Sequence, residues 1–145
     1  MIRIAIIDDE KEACASLKRM IEDCLLSHHL NAEIQTFYDA MRFVQNYEAG
    51  FDLIFLDIQM PEMDGMQAAE LIRAKDTDVL LIFVTSMIQY AVQGYRVEAL
   101  DYIVKPVAPA LLKHSLMRAV KKAGGSLSKA DLNPVFKWAA KCRHR

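Results

Sequence analysis

Apolar residues along this chain follow two spacings in alternation. Ile2–Ile7 opens as a short apolar run, and Glu10–Leu26 then repeats apolar residues at Ala13, Leu17, Met20, Ile21, Cys24 and Leu25. That i, i+3/i+4 spacing predicts an amphipathic helix. Glu33–Phe37 reads as a short strand. Asp39 is placed to cap a helix running through Tyr47, which Gly50 is expected to end. Leu53–Leu56 and Val79–Val84 are all-apolar runs without polar alternation, and Met66–Lys75 between them has helical spacing. A helix is predicted over Ile88–Val97, a last strand over Leu100–Val104, and a last helix over Pro109–Lys122, closed by Gly124-Gly125.

This pattern amounts to five βα units. Strands without polar alternation, separated by helices, predict a parallel sheet covered on both faces. Right-handed crossovers leave few topologies. The fold expected is α/β, a flavodoxin-like (βα)5 doubly wound parallel sheet with strand order 2-1-3-4-5. In that order the chain reverses between strands 1 and 3, and ligands bind there, beyond the carboxyl ends of the strands.

Length and composition agree with one packed domain: 145 residues, 53% hydrophobic and 26% charged. The longest apolar run, Val79–Val84, falls far short of the ~20 residues of a membrane helix. The N-terminus lacks a signal-peptide layout, so a cytoplasmic location is expected. Cys14, Cys24 and Cys142 have no metal-ligand spacing and read as small core-side residues in a reducing compartment. The net charge of −1 conceals an asymmetry, because residues 1–120 sum to −7 and residues 121–145 to +6. The body therefore offers no basic surface for nucleic acid. Periodicity weakens after Ser126, apart from a helical stretch near Phe136–Cys142. The boundary is expected at Gly124-Gly125: residues 1–123 form the domain, and 124–145 form a basic linker or tail.

The residues just past each strand carry the chemistry. Strand 1 ends in Asp8-Asp9, strand 3 in Asp57, strand 4 in Thr85-Ser86 and strand 5 in Lys105-Pro106. A doubly wound sheet brings these ends to one edge. Two unit charges 4 Å apart repel by about 4 kcal/mol at an effective dielectric near 20. Clustered carboxylates therefore take up protons or bind a cation. An all-oxygen donor set favours a hard ion, Mg²⁺ above others. Beside such an ion one carboxylate can attack a phosphoryl group, while the ammonium and the hydroxyl contact the phosphoryl oxygens.

Four segments carry a resemblance. Ile4-Ala5-Ile6-Ile7-Asp8-Asp9-Glu10, Leu53–Gly65, Phe83-Val84-Thr85-Ser86 and Asp101–Pro106 are similar, in order and spacing, to the signature segments of bacterial two-component response-regulator receivers. The resemblance spans roughly residues 1–122, and the four segments together are specific where each alone is weak. It implies a signalling switch rather than an enzyme, one that assists its own phosphorylation and dephosphorylation. Asp57 would be the phosphoacceptor. Asp9 would ligate Mg²⁺ directly, Asp8 mostly through water, and Gln59 through its backbone carbonyl. Thr85 and Lys105 would bind the phosphoryl group, with Thr85 and Tyr102 forming the switch, and the Lys105-Pro106 bond would be cis. A sensor histidine kinase would supply the phosphoryl group. Phosphorylation would pair two copies through the face made by Ile88–Val97, strand 5 and Pro109–Lys122. The segment Tyr90–Tyr102 resembles receivers of LytTR-type transcriptional regulators, which implies a DNA-binding output domain absent from this chain.

Each residue alone also has a plainer reading. Asp8, Asp9 or Thr85 could cap a helix, Asp57 could be a loop acid, Lys105 a solvated cation and Tyr102 a packing residue. Met60, Met63 and Met66 read as packing, and His28, His29 and His114 as helix-end or helix-surface residues. A haloacid-dehalogenase-like phosphatase would need Asp-x-Asp after strand 1, where this chain has Asp8-Asp9. A flavodoxin would need a Ser/Thr-rich phosphate loop there. A stand-alone receiver or a pseudo-receiver, acting through protein contacts alone, stays open as the alternative.

Overall fold

The computed structural model describes residues 1–124. The basic segment from Gly125 onward, the helical stretch expected near Phe136–Cys142, Trp138 and Cys142 lie outside the described residues.

Five strands form one parallel sheet in the order β2-β1-β3-β4-β5. They are β1 (Ile2–Ile7), β2 (Ala32–Phe37), β3 (Leu53–Leu56), β4 (Leu80–Thr85) and β5 (Asp101–Val104). The flavodoxin-like topology expected from the apolar runs is the one observed. Register is continuous across the central strands: Ile7 lies opposite Leu56, and Leu56 opposite Phe83. Side chains alternate between the faces. Ala5, Ile7, Ile54, Leu56, Leu81 and Phe83 pack under α2 (Ala40–Gln45) and α3 (Gly65–Lys75). Ile4, Ile6, Leu53, Phe55, Leu80 and Ile82 pack under α1 (Lys11–Ser27) and α4 (Pro109–Ala123).

The helices show why their sequences fold as they do. α1 buries Cys14, Leu17, Ile21 and Leu25 along one stripe. Its stripe includes Cys14 where the sequence suggested Ala13. α3 starts in a capping box: Asp64 accepts the Gln67 N–H, and the Gln67 side chain accepts the Asp64 N–H. α2 departs from expectation. It stops at Gln45, before Tyr47: the Tyr47 N–H turns to the Val44 carbonyl, one residue short of a helical bond, and its hydroxyl donates to Asp76 at 2.7 Å. Gly50, with φ +146, lies in the loop beyond.

The largest departure follows β4. No α-helix covers Ile88–Val97; the segment forms two 3-10 helices, Ile88–Tyr90 and Val92–Val97. Glu98, left-handed at φ 52, ends the second. Tertiary bonds at its ends override the helical spacing of its sequence. No helix among the described residues is long and apolar enough to cross a membrane.

Candidate functional site

Buried backbone pairing carries the site residues past the strand ends. The Asp8 N–H donates to the Phe37 carbonyl and the Asp57 N–H to the Ile7 carbonyl, extending both ladders by one residue. Asp8 and Asp57 are therefore placed by the sheet itself, and they are only 5% and 7% exposed. On the other side, the Lys105 N–H donates to the Thr85 carbonyl at 2.9 Å. The Lys105-Pro106 bond is cis.

Lys105 joins the two acids. Its Nζ donates to Asp8 Oδ2 at 2.8 Å and to Asp57 Oδ2 at 2.9 Å. The remaining oxygens take backbone donors: Asp8 Oδ1 accepts the Glu10 N–H, and Asp57 Oδ1 accepts the Gln59 N–H. Two buried carboxylates thus share one ammonium and retain a net negative charge. Burial pushes the Asp8 carboxyl above its ordinary pKa, with the hydrogen bond from Lys105 opposing it. Burial works against the Lys105 ammonium, but its bonds to Asp8 and Asp57 outweigh that and hold its pKa above the usual value.

The other expected residues are placed less uniformly. Asp9 is exposed at the rim, and among the described residues no three acidic, histidine or cysteine side chains converge as a ready-made metal cage. Gln59 is exposed beside Asp57. Thr85 is fully buried, and its Oγ1 accepts the Met87 N–H at 3.2 Å. Tyr102 stacks near Phe83 with ring centroids 5.7 Å apart and donates its hydroxyl to the Met87 carbonyl. Burial, joined by the charge of Asp57, pushes the Tyr102 hydroxyl up to about 12. Cys14 is core-side as expected; its thiol donates to the Asp8 carbonyl, and burial raises it to about 11. Met66 is buried, Met60 and Met63 pack against the core, and His114 is exposed.

Gly65 near the site, and Asp101 with its partners Ser115 and Arg118, have roles beyond those expected from the sequence. Gly65 sits so close to the Asp57 backbone that an added Cβ would lie 1.9 Å from the Asp57 carbonyl oxygen. Its N–H also donates to the Ile58 carbonyl. Asp64-Gly65-Met66-Gln67 held the signal, a capping-box spacing beginning at Asp64. Asp101 is buried and bonded to Ser115, with Arg118 at 3.6 Å, a long-range pairing that no local spacing announces.

The donor chemistry fits a hard divalent cation. Every candidate ligand is oxygen, and the Asp8–Asp57 pair carries more negative charge than Lys105 offsets. Asp57, Asp9, Asp8 and the Gln59 carbonyl are the groups available to hold it.

Comparison with known proteins agrees with this geometry. The family model described as "Response regulator receiver domain" matches residues 4–117. An uncharacterized response regulatory protein of Vibrio vulnificus is 33% identical over 132 residues, covering 87% of this chain and 50% of that protein. Sensory transduction protein LytT of Bacillus anthracis is 29% identical over 122 residues, covering 84% and 48%. The chain spans about half the length of such curated relatives. Among solved structures, response regulator protein TrrA of Thermotoga maritima, in complex with Mg²⁺-BeF, superposes with a TM-score of 0.71 at 28% identity. That match covers 82% of this chain and 99% of that one.

Proposed function

The chain belongs to the response regulator receiver domain family of two-component signalling, and from that premise we propose that it accepts a phosphoryl group on Asp57 from a sensor histidine kinase. The observation that carries this reading is the Lys105 bridge, 2.8 Å from Asp8 and 2.9 Å from Asp57. A carboxylate Oδ of Asp57 attacks phosphorus; the O–P bond forms as the P–N bond to the donor imidazole breaks, and the imidazole leaves. Lys105 is within reach to stay paired with the phosphoryl oxygens as charge builds. Thr85 can exchange its acceptor role toward Met87 for donation to the same group. Bound Mg²⁺, held by Asp57, Asp9, Asp8 and the Gln59 carbonyl, would neutralise the phosphoryl oxygens.

Residues 1–123 are assigned to the receiver, and 124–145 to a basic linker leading to an output domain outside this chain. The match to a relative named sensory transduction protein LytT agrees with the resemblance of Tyr90–Tyr102 to receivers of LytTR-type regulators, which implies a DNA-binding output. Ile88, Val92, Val104 and Leu111 are exposed apolar residues on the 3-10 segment, β5 and α4. They support pairing of two phosphorylated copies through that face. A cytoplasmic location follows from a kinase partner.

Intact-mass measurement after incubation with acetyl phosphate and Mg²⁺ tests the assignment. One added phosphoryl group, labile in base and absent from Asp57→Asn, is expected. Uptake that persists unchanged in Asp57→Asn overturns Asp57 as the acceptor.

A further inference from the structure

The 3-10 geometry of the segment after β4 requires support from outside the segment. Runs of 3-10 helix beyond three or four residues are uncommon, because side chains at i and i+3 eclipse and the hydrogen bonds are poorly aligned. Val92–Val97 is six residues long. Side chains from other elements hold both ends. At the first end, Met87 is held through both of its backbone groups: Thr85 Oγ1 accepts its N–H, and the Tyr102 hydroxyl donates to its carbonyl. At the second end, Arg73 reaches across from α3. Its Nε donates to the Val97 carbonyl at 2.8 Å, and its Nη1 to the Val79 carbonyl at 2.6 Å and the Asp76 carbonyl at 3.3 Å.

The two ends differ in kind. The Met87 end depends on Thr85, whose carbonyl accepts the N–H of Lys105, the residue bonded to Asp57, and on Tyr102, whose hydroxyl feels the Asp57 charge. The Val97 end depends on a rigid fork, with one guanidinium bound to carbonyls at the end of the 3-10 helix and at the entry to β4. A guanidinium cannot give up its proton, and its planar geometry resists rearrangement. Beyond the fork, Glu98 turns left-handed at φ 52 while the Ala99 N–H returns to the Gly94 carbonyl at 3.1 Å. The most exposed apolar residues of the segment, Ile88 at 65% and Val92 at 52%, lie toward the Met87 end.

We propose that Arg73 is a positioning residue that fixes Val97 as a hinge, so that release at Met87 swings the segment 88–97 about its far end. Such a swing carries Ile88 and Val92 with it and changes the apolar surface they present. The hinge stands on the Arg73 geometry alone; its coupling to Asp57 rests on the phosphoryl reading above.

Hydrogen exchange by NMR on the full chain tests both parts. In the unmodified chain the Arg73 Nε–H is expected to exchange at least about tenfold more slowly than a free guanidinium; tenfold corresponds to about 1.4 kcal/mol, the order of one hydrogen bond from a charged donor. In Arg73→Gln, the Glu98 and Ala99 amides are expected to exchange about tenfold faster, with the Asp57 and Ile82 amides unchanged. With beryllofluoride and Mg²⁺, protection is expected to change over residues 87–91 and to persist at Glu98, Ala99 and the Arg73 Nε–H. An Arg73 Nε–H exchanging at the solvent rate overturns the hinge, and this readout decides alone if Arg73→Gln fails to fold. Unchanged Glu98 and Ala99 in a folded Arg73→Gln overturns it as well. Loss of protection at both ends with beryllofluoride overturns the swing in favour of local unfolding. No response at either end overturns the coupling, while the mass measurement on Asp57 judges phosphoryl uptake separately.

Discussion

Strand β3 reaches Asp57 through four consecutive buried residues, Leu53–Leu56, whereas the segment after β4 leaves Ile88 and Val92 largely in solvent. Both lie at the same edge of the sheet. In β3 the sequence and the packing agree, since an unbroken apolar run suits a strand of a parallel sheet covered on both faces. In Ile88–Val97 the local spacing asks for a helix, yet Arg73 and Tyr102 from other elements hold a different backbone. The site's acids are thus mounted on the part of the chain whose local and tertiary preferences agree. The swing proposed for 88–97 would take place where they conflict, as expected if switching elements come from the less stable parts of a fold.

The sharpest test of this contrast is a cavity in the rigid region. Phe55, 1% exposed beneath α1 and α4, is expected to lose about 3–5 kcal/mol of stability on Phe55→Ala. Chemical denaturation would measure it. A loss under about 1 kcal/mol would mean that β3 is no better fixed than the segment 88–97.

Gly65→Ala is the next largest. A Cβ there meets the Asp57 carbonyl oxygen at 1.9 Å and the Ile58 Cα at 2.9 Å, so backbone must move. A destabilisation of about 1–3 kcal/mol is expected, as for overpacking. Phosphoryl uptake should slow as well, because the displaced backbone is that of Asp57 itself. Normal uptake rates with lowered stability would place the strain in α3 instead.

Tyr47→Phe probes a tie between the α2 loop and the end of α3, and its expected effect is about 1 kcal/mol. Burial alone would raise the Asp76 carboxyl. The Tyr47 hydroxyl, the Asp78 and Val79 amides and the charge of Arg73 outweigh burial and hold it below its ordinary 3.8. A depressed acid stabilises the fold above its unfolded pKa and loses that contribution as pH falls through the folded value. The gap between the parent chain and Tyr47→Phe should therefore be full near neutrality and shrink below about pH 3.8. A gap that stays constant as pH falls through the Asp76 range would show that the Tyr47 hydroxyl contributes by a route other than the Asp76 charge.

The legible parts of the molecule were those written in local pattern. The parallel sheet followed from unbroken apolar runs at Leu53–Leu56 and Val79–Val84, right-handed crossovers narrowed its strand order, and the grouping of Asp8, Asp57 and Lys105 followed from their places just past strand ends. What stayed illegible depends on contacts between distant residues. Nothing near Val97 marks Arg73 as its partner 24 residues away, so a helix was the local expectation. Nothing near Tyr47 marks Asp76, and the local pattern alone carries α2 on to Tyr47. Asp9 shows the same gap within the site: adjacency to Asp8 placed it in sequence, yet only Asp8 is carried inward by a ladder bond to Phe37.

The smallest expected effect completes the contrast. Ile88 has the same apolar character as the β3 residues but is 65% exposed. Truncating it removes little area from a buried environment, so Ile88→Ala is expected to change stability by no more than about 0.5 kcal/mol. The residue begins a 3-10 helix without a side-chain cap, so no capping bond is lost. If the exposed face pairs two phosphorylated copies, the same substitution should lower the dimer fraction seen by analytical ultracentrifugation with beryllofluoride and Mg²⁺, while leaving the monomer's unfolding midpoint in place. A stability loss comparable to that of Phe55→Ala would show that Ile88 is covered within the monomer in solution. The segment would then be packed as firmly as β3, and the distinction between a rigid site and a movable neighbour would fail at its central residue.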